Sequence, residues 1–271
     1  MEPLPNNRFK LLQERLKRRF LDFILLSLLV FVFLIPLLGW IIFSNYVLIA
    51  QITNENYLLM SFLIYGPYIP LGMVFGLGIS GALYYCKRLA WGEGSNVGSD
   101  FFYGMGKNIK FSLLSFLIIF ISYSLLKIGS LILSYTIPNP YVVMPIMGVM
   151  YVAFFLIFMI ISFTLTQGII YKGSFFQLTL NSVRFTFGMF GWNLLIFLLV
   201  LFPFLTYEFI PFPIAQYISI AIATLFYFAF SLFVFTIYSH SIFDLTINND
   251  YPEIYRKGLA TSAKPIDDNN Q

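Results

Sequence analysis

The chain is poor in the side chains from which most enzyme and metal sites are built. It has one cysteine, Cys86, and one histidine, His240, among 271 residues, and only 10% of its residues are charged. A single cysteine excludes a framework of intramolecular disulfides, and a single histidine excludes HExxH and other multi-histidine metal sites. No GxSxG nucleophile elbow occurs. We therefore expect a non-enzymatic protein without catalytic, cofactor-binding or metal-ligating residues.

Long apolar runs without charge dominate the sequence instead. Apolar residues make up 59% of the chain and the mean hydropathy is +0.83, whereas soluble domains average roughly 45–50% apolar residues. A bilayer core needs about 20 such residues in a helix, and in lipid the helix satisfies its own backbone polar groups. We predict an all-α polytopic membrane protein with six transmembrane helices. They are placed near residues 20–44, 58–86, 111–135, 144–170, 189–210 and 214–240.

The basic residues predict the orientation of these helices. All 16 lysines and arginines except Lys127 lie before the first predicted span, in the second and fourth connections, or after the last span. The positive-inside rule then places both termini in the cytoplasm. This predicts a basic segment at 1–19, a six-helix domain at 20–240 and a cytoplasmic tail at 241–271. The net charge of +4 suits an anionic lipid surface, so the lipid bilayer is the expected partner and no nucleic acid is required.

Residues 6–20 form an amphipathic segment before the first span. Phe9, Leu12, Leu16 and Phe20 recur at helical spacing, with basic residues on other faces. Such a helix is expected to lie in the headgroup layer. It can orient the protein or dock a partner, and we favour the orienting role.

Small residues in the second span predict a close helix contact. Gly72 and Gly76 form a GxxxG pattern, which lets helix backbones approach closely in lipid. The pattern fits an internal contact or a dimer, and we favour the internal contact. The oligomeric state stays open.

The loop after the second span is rich in glycine. Gly92, Gly94 and Gly98 resemble a phosphate loop only weakly, because the pattern follows a membrane helix and not a strand. We favour glycines that permit turns, with Ser99 and Asp100 capping a short helix. A faint echo of the stretch from Gly98 appears at Gly173-Ser174-Phe175-Phe176. Repeats in transport folds produce such echoes, and so does chance in low-complexity membrane sequence, which we favour.

Two ionisable residues are candidates for a polar site in the membrane. Lys127 lies inside the third predicted span, and Glu208, at the outer end of the fifth, is its expected partner. Intramembrane charges are costly and often functional. The alternatives are a substrate path or a lysine that snorkels outward or pairs structurally, and we favour the second. For His240 and Asp244, which share a helical face, we expect a structural role.

The second loop also carries a family resemblance. The stretch ALYYCKRLAWGEG to DFFYGMGKNIKFS, within residues 66–120, and the tail YPEIYRKGL at 251–259 resemble the YesL-like family of bacterial multi-pass membrane proteins, a domain of unknown function. The matching residues are Gly81, Ala82, Tyr84, Tyr85, Arg88, Glu93, Asp100, Phe101, Phe102, Lys107 and Asn108.

The resemblance implies a bacterial plasma-membrane protein often encoded beside carbohydrate ABC-transporter components. It implies no established activity. We therefore expect an accessory component of carbohydrate uptake with ABC-transporter subunits as partners. The alternative is an autonomous small-solute transporter or channel with Lys127 near the substrate path.

Overall fold

The chain is helical wherever its structure is described. A computed structural model describes residues 5–93, 96–210, 212–248 and 251–260, without the side chains of Phe204, Tyr207, Glu208 and Pro213. No strand occurs in these ranges, and the predicted all-α polytopic class is confirmed. The helices are α1 (Arg8–Arg18), α2 (Phe20–Phe43), α3 (Tyr57–Tyr65), α4 (Tyr68–Ala90), α5 (Val97–Lys107), α6 (Ile109–Thr136), α7 (Pro140–Ile170), α8 (Phe175–Gly188), α9 (Phe190–Phe209), α10 (Pro213–Ile222) and α11 (Phe228–Thr246).

Five helical segments are long and apolar enough to cross a membrane, and the pair α8 and α9, bent by 100°, supplies a sixth. The two ends of the described chain lie side by side, as an even number of crossings requires. The Ala260 N–H donates to the Pro5 carbonyl over 3.0 Å, so both residues lie on one side of the bilayer. The 20 residues of α9 suffice for a sixth crossing, which would bring the number to the predicted six.

Several predicted boundaries shift for local reasons. The first helical segment continues through a π-helical turn at Ser44–Leu48 to Gln51. The fourth begins at Pro140 rather than 144, because Asn139 caps it and proline suits the first helical position. The last continues through a π-helical turn at Ala223–Tyr227 and ends at Thr246 rather than 240.

Three short helices precede a long apolar helix in the same way. A single residue separates each of them from the next helix: Arg19 after α1, Asn108 after α5 and Met189 after α8. The φ and ψ angles of these three residues are −124° and 30°, −107° and 15°, and −126° and 35°. The two echo segments of the sequence thus share one backbone arrangement, and α1–α2 forms a third instance that the residues did not reveal.

The helices group into two compact units. In the unit made of residues 29–80 and 105–193, α6 packs on α3 and α7, and α7 packs on α8. The small residues of α4 lie under aromatic rings of α6. A Cβ at Gly72 would overlap the Phe120 ring, and one at Gly76 would overlap Phe116. Beside this contact the Ser112 hydroxyl donates to the Gly76 carbonyl over 2.7 Å.

The other unit contains the described residues of 1–28, 81–104 and 194–271. Its core is aromatic, with Phe23 against Phe233 at 5.3 Å between ring centroids and Phe197 against Phe235 at 5.1 Å. The Ala229 N–H, just after the second π-helical turn, donates to the Ser27 hydroxyl over 2.9 Å. This unit also gathers the charged residues described next.

Candidate functional site

The chain after α11 folds back as a series of turns. Leu259 is buried, and Gly258 has a φ of +89°. A Cβ at Gly258 would collide with the Ala90 carbonyl at the end of α4, so only glycine fits both the space and the backbone conformation. The Arg256 guanidinium donates to the Asn6 carbonyl over 3.2 Å. Residues 251–260 are therefore an integral part of this unit.

A buried ion pair joins α1 to α11. Arg8 Nη2 and Asp244 Oδ2 are 2.7 Å apart, with side chains only 10% and 11% exposed. Arg8 Nη1 also donates to the Lys257 carbonyl over 3.0 Å. The other Asp244 oxygen accepts from Asn248 Nδ2 over 2.7 Å and from the Arg256 N–H over 3.1 Å. A buried charge is tolerated when its remaining hydrogen-bonding capacity is met, and the Asp244 carboxylate meets this condition.

A second group of ion pairs joins the loop after α4 to the tail. Lys257 Nζ lies 3.1 Å from Glu93 Oε1, and Arg88 Nε lies 3.2 Å from Glu93 Oε2. Arg88 also pairs with Asp100, which accepts from the Asn96 N–H over 2.9 Å. Partial burial acts to raise the pKa of Glu93, but the hydrogen bond and charge of Lys257, followed by Lys87 and Arg88, lower that pKa overall.

The indole of Trp91 lies among these charges. The ammonium groups of Lys87 and Lys257 are 4.2 and 4.0 Å from its ring centroid, close enough for cation–π attraction. The edge of the His240 ring meets it at 6.1 Å between centroids. His240 Nδ1 lies 2.7 Å from the Thr236 carbonyl of its own helix.

We call this assembly the tail cluster. It joins α1, the end of α4, α5, the end of α11 and the tail. Its residues are Arg8, Arg15, Lys87, Arg88, Trp91, Glu93, Asp100, His240, Asp244, Arg256 and Lys257. The positive-inside rule predicts that it faces the cytoplasm.

Close packing of α4 against α5 positions the cluster. A Cβ at Gly104 would overlap the Tyr84 ring, and a Cβ at Gly81 would lie 2.7 Å from the Phe101 carbonyl. The Tyr85 hydroxyl donates to Asp22 over 2.8 Å. Most residues that carry the YesL-like resemblance therefore serve this packing or the ion pairs.

The expected start of α5 was wrong. Asn96, not Ser99 or Asp100, precedes the helix, and its side chain accepts from the Ser99 N–H over 3.2 Å. Asp100 lies within the first turn and receives Arg88. Gly92 makes a turn with a φ of +70° after α4, whereas Gly94 lies outside the described residues.

The candidate membrane site is only partly described. Lys127 is half-buried, and its ammonium lies 5.6 Å from the Tyr123 ring centroid. That ring packs 5.5 Å from Phe154. The side chain of Glu208 lies outside the described residues, so its pairing with Lys127 stays a prediction.

A buried polar network joins α7 and α8. Gln167 Nε2 donates to the Ser182 hydroxyl over 2.6 Å and to the Leu178 carbonyl over 3.1 Å. The Thr164 hydroxyl reaches Ser182 over 3.0 Å. These side chains are fully buried, and neither the apolar runs nor the charge pattern of the sequence pointed to them.

Metal ligands do not cluster in the described ranges, where no group of three or more His, Cys, Asp or Glu residues could hold a metal ion.

No protein-family model, curated protein or solved structure matches the chain.

Proposed function

We propose that this chain is a non-enzymatic accessory component of carbohydrate uptake in the bacterial plasma membrane. In this role it contacts subunits of an ABC transporter through its cytoplasmic segments. The supporting observation is the pairing of Glu93 with Lys257. It joins the two separate stretches, 66–120 and 251–259, that resemble the YesL-like family. A transporter subunit that recognises both stretches would bind the surface that they form together.

The tail cluster suits docking because its charges are already held in place. Glu93 receives both Lys257 and Arg88, so these three side chains are held in place before any partner binds. A pre-ordered surface loses less conformational entropy on association. Phe102 and Tyr103 of α5 are 53% and 58% exposed beside this surface, and aromatic side chains are enriched at interfaces.

Co-purification from native membranes in mild detergent tests this proposal. Stoichiometric recovery of permease or ATPase subunits is the expected result. Glu93→Gln should reduce that recovery because it removes the charge that holds Lys257 and Arg88. Glu55→Gln, the same change in the connection before α3, should leave it intact. Recovery of neither subunit with the unaltered protein would contradict the docking role.

We propose autonomous transport of a small solute as a second candidate. Its support is the half-buried Lys127 inside the third predicted span, since ionisable groups within spans often mark solute paths. Uptake into liposomes that contain only this protein is the test. Lys127→Met should abolish uptake while the protein stays folded by size-exclusion chromatography. Undiminished uptake by this variant would remove Lys127 from the path.

A further inference from the structure

Four buried nitrogen atoms of the tail cluster have no hydrogen-bond partner among the described residues. They are Arg8 Nε, Arg15 Nε, Trp91 Nε1 and His240 Nε2. A buried polar group left unsatisfied costs about 1–3 kcal/mol. In folded proteins such atoms are completed by ordered water or by a ligand, and four of them in one cluster mark it as a candidate binding site.

Direct contacts place these four side chains in one region. Arg8 binds the Lys257 carbonyl over 3.0 Å, and the Lys257 ammonium lies 4.0 Å from the Trp91 ring centroid. The Trp91 ring meets His240 edge to face. A Cβ on the neighbouring Gly92 would lie 3.3 Å from Arg15 Nη2.

Three of the four atoms donate hydrogen bonds and the fourth accepts one. The Nε–H groups of both arginines and the indole N–H can only donate. His240 Nδ1 faces a carbonyl oxygen at 2.7 Å and must carry the proton. In the neutral ring, Nε2 can then only accept. A single group that satisfied all four atoms would offer several acceptor oxygens and one O–H donor.

The charge of the cluster indicates the sign of that group. Six cationic side chains stand against three carboxylates. The cations are Arg8, Arg15, Lys87, Arg88, Arg256 and Lys257, and the carboxylates are Glu93, Asp100 and Asp244. An anion is therefore attracted to this region, and arginine pairs preferentially with planar or tetrahedral oxyanions.

We propose that the tail cluster binds a phosphate monoester group. A singly protonated phosphate oxygen donates to His240 Nε2, and the remaining oxygens accept from Trp91 Nε1 and the two arginines. The group is either a soluble phosphate from the cytoplasm or the monoester headgroup of a lipid. This assignment goes beyond the docking role and does not rest on it.

Thermal unfolding of the full-length protein in nanodiscs tests the proposal. Inorganic phosphate added to phosphatidylcholine nanodiscs should raise the unfolding temperature in a saturable way. Nanodiscs containing phosphatidic acid should raise it without added phosphate only if a lipid headgroup can occupy the site. Dimethyl phosphate, a diester without the O–H donor, should bind at least tenfold more weakly than inorganic phosphate.

Matched variants separate the site from general charge effects. Arg15→Gln should weaken phosphate binding at least tenfold, whereas Lys17→Gln, the same loss of charge on the exposed face of α1, should not. Trp91→Phe keeps an aromatic ring and removes the N–H donor, so it should weaken phosphate binding. It tests the site independently if Arg15→Gln fails to fold. The proposal is overturned by no saturable response to either phosphate source. Equal responses in Trp91→Phe and the unaltered protein would also overturn it.

Discussion

Asp244 is the residue on which the two ends of the chain converge. Its carboxylate accepts from Arg8 before the first span and from the Arg256 backbone in the tail. The Arg8–Asp244 pair is largely buried from solvent, so removing either partner would leave an unpaired buried charge, which costs about 3–5 kcal/mol. The sequence placed Asp244 beside His240 on one helical face, but the structure pairs it with Arg8.

Gly258 is the position where a single methyl group should disrupt the tail. Gly258→Ala combines an unfavourable positive φ with a collision against the Ala90 carbonyl. We expect a loss of about 1–3 kcal/mol of local stability. Limited trypsin digestion at Arg256 and Lys257 should accelerate accordingly. Gly106→Ala, where a Cβ meets nothing within 4 Å, should leave the digestion rate unchanged.

Glu93 should make the tail contact sensitive to acid. Its pKa is lowered in the folded protein, below an unfolded value of about 4.3. The stabilisation is therefore fully present above that unfolded value and is lost as the pH falls through the lowered folded pKa. Trp91 fluorescence, read with Trp40 and Trp192 replaced by phenylalanine, should change in this acid range. Glu93→Gln should remove that transition, and its persistence would assign it to another group.

At the scale of elements, one backbone arrangement recurs at three points. A single residue, Arg19, Asn108 or Met189, separates a short helix from the next helix. The residues at the three junctions differ, so a side-chain pattern could not predict them. All three have φ and ψ in the sparsely allowed bridge region, which turns the chain without a loop.

The contact of α4 with α6 should depend on the absence of side chains at the GxxxG pattern. Gly76→Leu would overlap the Phe116 ring, and overpacking of this kind costs about 1–3 kcal/mol. We expect a lower unfolding temperature in detergent and partial rescue by Phe116→Ala in the same chain. Gly39→Leu, where a Cβ meets nothing within 4 Å, is the control. An equal loss in both variants would argue against a specific helix contact.

At the scale of the whole molecule, the contact of Pro5 with Ala260 constrains the topology. Cysteine labelling can verify it directly, because the native Cys86 is buried. Cysteines placed at Lys10 and Glu253 should react with an impermeant maleimide only from the cytoplasmic side. One placed at Asn54 should react only from the other side. Labelling of positions 10 and 253 from opposite sides would contradict six crossings.

Hydropathy was enough to predict the all-α polytopic membrane class and the approximate spans. A segment that crosses the bilayer has to be a long uncharged helix, whichever helices surround it. The residues Gly72 and Gly76 were also identifiable, since small residues at this spacing allow close approach in lipid. Lys127 was visible as a charge within an apolar run. Its environment was not, because neighbouring helices determine what surrounds it.

The sequence by itself determined an α-helical membrane protein and its predicted orientation, since both follow from local composition. Only the tertiary structure decided that Glu93 meets Lys257 and that Arg8 meets Asp244. These partners are 164 and 236 residues apart in the chain, and charge pairs at such separations have no periodic signature. A single histidine excluded multi-histidine metal sites, but it did not predict the cluster of charged residues around His240. The fold instead brought arginines and an indole to it.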